Sequence, residues 1–144
     1  MIRKVTKVKH GGRIYESIVV LDSNENIIVP PSLYLTHLSI NTSSPLTVYN
    51  YSHTLNKYFE YINNEGIDWK EVTDVEMSQF IYDKFQKKQT VKENTVEVYA
   101  TVLEGFYKWA WTSEQLTHPI KFNFTIYSNG SNEKNRKKYT EKYL

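Results

Sequence analysis

The chain has 144 residues, 40% of them hydrophobic and 24% charged, which allows one compact core with a small appendage. It contains no cysteine, which excludes a disulfide framework, a thiol nucleophile and a cysteine-based zinc site, and no apolar run reaches the ~20 residues of a membrane span. The net charge of +2 is uneven: residues 1–13 carry Arg3, Lys4, Lys7, Lys9 and Arg13 with no acid, residues 129–144 carry a net +3, and the stretch between them a net −6.

The opening segment is basic and lacks the apolar stretch of a signal peptide, so a cytoplasmic protein is expected. Basic ends around an acidic body suggest an anionic partner held by the ends; the alternative is a pair of solvated tails. The β-branched run Ile14–Leu21 predicts a strand. Asp22–Asn26 is turn chemistry, and Ile27–Val29 is expected to return as the second strand of a hairpin, stopped by Pro30-Pro31. A short helix is expected over Ser32–Ser39 with Leu35 and Leu38 inward, followed by a polar loop at Asn41–Ser44.

The clearest helix comes next. Ser44 supplies a side-chain cap and Pro45 stands where no backbone donor is needed. Val48, Tyr51, Leu55, Phe59 and Ile62 form one apolar stripe, and Gly66 can take the left-handed conformation that ends a helix. A second helix is expected to start at Thr73, which forms a capping box with Glu76. Its apolar face is Met77, Phe80, Ile81 and Phe85, and its end is the cationic run Lys84, Lys87, Lys88. The next helix is expected from about Asn94 to Trp111, with Val96, Tyr99, Leu103, Phe106 and Ala110 in its stripe.

Beyond Thr112 the helical pattern dissolves. Phe122, Phe124 and Ile126 alternate in a strand-like way, and Ser128–Lys138 is expected as a polar linker. A linker with no folding signal after it suggests a chain cut from a longer protein. The expected organisation is a basic arm and β-hairpin over 1–30, a helical domain over 31–113 and a linker over 114–144. The expected fold class is mainly α: a small four-helix bundle preceded by a short β-hairpin.

The stretch 44–61 begins Ser-Pro-Leu-Thr-Val-Tyr-Asn-Tyr, and 94–109 ends Phe-Tyr-Lys-Trp. Between them stands Gly-Ile-Asp-Trp-Lys-Glu-Val-Thr at 66–73. In that order, over roughly residues 30–112, these pieces resemble the SAM-like core-binding domain of phage integrases and other tyrosine recombinases. The resemblance implies a region that binds double-stranded DNA, assembles with other recombinase protomers, and leaves strand exchange to a separate catalytic domain. That domain would carry two Arg, a Lys, one or two His and a nucleophilic Tyr. No such set can be assembled from Arg3, Arg13 and Arg136, the three arginines present. His10-Gly11-Gly12-Arg13 spells the family's catalytic His-x-x-Arg by letters, but it lies in a glycine turn near the N-terminus with no nucleophile placed to follow it. No catalytic residue, metal ligand, cofactor or membrane contact is expected in this chain.

The resemblance also implies that the starts of the first long helix and the last one face DNA. Around the first, Ser44, Thr47, Asn50, His53, Thr54 and Lys57 are polar, with no acid before Glu60. Before and at the last stand Lys84, Lys87, Lys88, Lys92, Asn94 and Thr95. Lysines and free helix N–H groups suit phosphates, and Asn50 and Asn94 are candidate adenine readers. Thr47 and Thr95 can equally be plain helix starters, the lysines a solvated helix end, and His53 a core-edge histidine. The aromatics Tyr51, Tyr58, Phe59, Tyr99, Phe106, Tyr107, Trp109 and Trp111 have core spacing, which argues against a base-stacking platform. Glu65, Asp68, Glu71, Asp74, Glu76 and Asp83 are expected away from DNA. Residues 45–113 sum to −3, so binding leans on the flanking charge. The rival expectation is a helical protein-interaction domain that does not bind DNA.

Overall fold

The structure is a computed structural model and describes residues 2–41, 43–83, 93–120, 123–127 and 136–140, with side chains over 3–41, 43–83 and 97–120. Among the described residues there are four helices and two antiparallel strand pairs. The mainly helical class and the N-terminal hairpin are as expected. The chain divides into two compact units, Met1–Glu60 and Tyr61–Leu144, and each is taken by itself.

The first unit opens with the hairpin, but its strands are not the expected pair. β1 (Ile2–His10) pairs with β2 (Arg13–Leu21) across Gly11-Gly12, in a register running from Ile2↔Leu21 to His10↔Arg13. Both glycines have positive φ, 56° and 78°, the geometry of a two-residue turn whose twist matches the strands. The segment read as a basic arm is therefore a strand. The turn at Asp22–Asn26 also forms: Asp22 Oδ1 accepts the amides of Asn24 and Asn26 at 2.8 and 2.9 Å. It returns only one bridge, Leu21↔Ile27, before Val29 opens a helix.

That helix, α1 (Val29–Ile40), starts three residues earlier than expected because Pro30 and Pro31 occupy its first turn, where a missing N–H costs nothing. It lies on β2. The buried Ser32 hydroxyl fixes the contact: it accepts the Val20 amide at 2.9 Å and lies 3.4 Å from the Val20 carbonyl. Leu35 is fully buried as expected, with Tyr34, whereas Leu38 is half-buried.

α2 (Pro45–Asn64) begins as the sequence predicts, with Ser44 Oγ accepting the Thr47 amide at 3.1 Å. Val48, Leu55, Phe59 and Ile62 of its stripe are buried, and Tyr51 is half-buried. The buried arc is wider than the stripe and takes in Ser52, Thr54 and Tyr58. Gly66, at φ 69°, ends it.

In the second unit, α3 (Asp74–Ile81) carries the full capping box: the Glu76 amide donates to Thr73 Oγ1 at 3.1 Å and the Thr73 amide to Glu76 Oε1 at 3.0 Å. Met77, Phe80 and Ile81 are completely buried, while Phe85 lies outside the described residues. α4 (Glu93–Thr112) buries Ala100, Val102, Leu103, Phe106, Tyr107 and Ala110. The Tyr107 hydroxyl donates to the Trp69 carbonyl at 2.8 Å, and the Trp69 ring stands 5.5 Å from that of Phe106. Tyr99, Trp109 and Trp111 are half-buried.

β3 (Asn123–Tyr127) lies against α3 and α4 and pairs with β4 (Arg136–Thr140). The last part of the expected linker is thus a strand: once β3 presents its backbone groups, residues 136–140 satisfy them. Residues 128–135 lie outside the described residues.

Candidate nucleic-acid interface

α2 sets out its polar residues by its pitch. At 3.6 residues per turn, Asn50, His53 and Lys57 fall along one side, opposite the buried row Val48–Leu55–Phe59–Ile62. Asn50 is exposed, and His53 and Lys57 are half-buried. Ser44 is exposed at the helix start, where its hydroxyl lies 3.0 Å from that of half-buried Thr47. The expected α2 set therefore lies exposed or half-buried on the helix cap and the first 13 residues of one helix, with one exception. Thr54 is 2% exposed and turned into the protein, beyond reach of a phosphate, because it sits on the edge of the arc that Tyr58 extends inward.

The other expected contacts are less fully placed. Lys84, Lys87, Lys88 and Lys92 lie outside the described residues. Asn94 and Thr95 are in the first turn of α4, with their side chains outside the description. These residues belong to the second unit, and the α2 set to the first.

One cation that the sequence assigned only to a basic arm comes to α2. Strand β1 carries Arg3 to the helix, where its Nη1 donates to Ser52 Oγ at 3.1 Å and its guanidinium lies 4.9 Å from the Tyr49 ring centroid. Ser52 is fully buried and donates in turn to the Tyr49 carbonyl at 2.6 Å. Next to it, the His53 imidazole is held below the usual histidine range by burial first, then by the Lys57 ammonium and the Arg3 guanidinium. No signal in the sequence pairs residues 3 and 52; only the hairpin register brings them together.

The acidic residues have local tasks in the second unit. Glu76 belongs to the capping box and Asp68 Oδ1 accepts the Lys70 amide at 3.0 Å. Asp83 accepts from the Tyr61 hydroxyl at 3.3 Å and from Gln79 Nε2 at 2.8 Å. Burial, followed by Asp83, pushes the Tyr61 phenol up. Glu71 stands 3.7 Å from His118 Nε2. Formal charge follows the same division: Met1–Glu60 holds six cations and four acids, and Tyr61–Leu144 twelve of each. Among the described residues no helix is long and apolar enough to cross a membrane, and no group of three acids or histidines is placed to hold a metal ion.

The family model of the phage integrase N-terminal SAM-like domain matches residues 32–114, which take in all four helices but the first turn of α1. The match spans more than half of the chain, and the chain belongs to this family, whose members are tyrosine recombinases. No curated protein and no solved structure matches it.

Proposed function

We propose that this chain grips double-stranded DNA as the N-terminal region of a site-specific tyrosine recombinase, with strand exchange left to residues outside it. The observation that carries the reading is the outward side of α2, where Asn50, His53 and Lys57 follow a capped helix start with no acid before Glu60. Cations and free helix amides of that kind meet phosphates, and an exposed Asn offers both an acceptor and donors to an adenine edge. Ser44, Thr47, Asn50, His53 and Lys57 form the first contact set. Lys84, Lys87, Lys88, Lys92, Asn94 and Thr95 form the second. The fuller assembly would pair recombinase protomers on two DNA sites. A duplex partner implies a cytoplasmic place of action.

The test is fluorescence anisotropy with a labelled duplex of about 20 base pairs over a salt series. With about three phosphate contacts on α2 and its neighbours, affinity should fall roughly fortyfold between about 50 and 200 mM salt. Lys57→Ala should flatten the logarithmic salt dependence by about one contact, and the pair Lys87→Ala and Lys88→Ala by up to about two. Absence of binding at low salt would replace this reading with a helical protein-interaction domain.

A further inference from the structure

The junction of β1 and α2 holds three basic groups, of which one, Arg3, lies outside the residues 32–114 that the family model matches. Arg3 comes from the hairpin, while His53 and Lys57 come from successive turns of the helix. Arg3 is fixed from two sides, by the buried Ser52 hydroxyl and by the Tyr49 ring. A guanidinium has five N–H donors in a rigid fork, and Ser52 uses one of them. Among the described residues no carboxylate pairs with Arg3 or with His53. A fixed, partly buried guanidinium beside an imidazole, neither of them paired with a carboxylate among the described residues, is an arrangement that an incoming anion completes.

We infer that Arg3, His53 and Lys57 form a subsite for one phosphodiester of duplex DNA, and that His53 takes up a proton as the phosphate docks. The inference rests on the DNA-binding reading and adds to it a new contact, Arg3, and a chemical consequence. The charges facing His53 are Lys57 on its own helix and Arg3 from β1, and both disfavour its protonation. Glu60 stands two turns along α2 from His53. A phosphate between the three groups reverses the electrostatic part of that balance, because the imidazolium then faces an anion. The bound state holds more protons than the free state, so binding tightens as the pH falls.

The experiment measures duplex affinity of the 144-residue chain at constant ionic strength, with a pH-insensitive dye on the DNA. Between about pH 7.5 and about pH 5.5 the unaltered chain should bind roughly three- to tenfold more tightly. His53→Gln should weaken binding at the higher pH by a few-fold at most and abolish the gain at the lower pH, whereas His10→Gln, at the hairpin turn, should retain the gain. Arg3→Gln should weaken binding at both values. On the unaltered chain, the NMR titration of the His53 ring should move upward when duplex is added. Salt-sensitive binding that ignores pH, a gain that survives His53→Gln, or an unmoved His53 titration would overturn the subsite and leave the DNA reading standing. No duplex binding at either pH and low salt would overturn the DNA reading itself.

Discussion

Single residues divide by whether their task is local or distant. Thr73 and Glu76 close a capping box within one turn, and Ser44 caps α2 within three residues, so residue type and spacing reveal them. Ser32 and Arg3 do their work on partners 12 and 49 residues away, and no local pattern marks them. The same contrast orders their effects on stability. Thr73→Ala removes one exposed cap and should cost about 1 kcal/mol. Ser32→Ala leaves the Val20 amide without its acceptor in a buried site and should cost about 1–3 kcal/mol. Urea unfolding checks both, as a lower midpoint at unchanged slope. Thr54 marks the limit of reading single residues: as a threonine in a polar run it looks like a surface contact, and only the breadth of the arc around Tyr58 turns it inward.

At the scale of elements, the helices were legible and the strands only partly so. α2, α3 and α4 have apolar residues at helical spacing between recognisable caps, and their starts fall within a residue or so of expectation. β1 was hidden because its charges fall on both faces: Arg3, Lys7 and Lys9 on one, Lys4 and His10 on the other. A strand free of apolar alternation reads as a tail until its partner is known. β4, Arg-Lys-Lys-Tyr-Thr, was hidden in the same way. The glycine pair was the one local sign of the first hairpin. A Cβ at Gly12 would meet nothing within 4 Å, so the cost of Gly12→Ala is the left-handed backbone alone, about 1–2 kcal/mol. Hydrogen exchange should show that loss as faster exchange at the paired amides of Val8 and His10, with the amide of Val20, held by Ser32, changing least.

For the molecule as a whole, composition gives a net charge close to zero, and the fold changes what that number means. The excess of positive charge belongs to Met1–Glu60, the unit that also holds the polar side of α2. Lys4, Lys7 and Lys9 are exposed along β1. Charges so placed act on the encounter with a polyanion more than on the finished complex. Replacing the three with Gln should slow association with duplex several-fold at low ionic strength and change dissociation little. The difference should fade as the Debye length shrinks to about 3 Å near 1 M salt. Stopped-flow mixing over a salt series separates the two rates. The family was legible from the order of short motifs along the helices.

The far end of the first hairpin also makes a practical landmark. Ile14, beside the glycine turn, is 68% exposed, and the chain has no thiol of its own. Ile14→Cys would therefore create a unique attachment point for a fluorophore at low structural cost. Energy transfer from there to a dye walked along a duplex would measure, base pair by base pair, whether the ribbon comes near bound DNA.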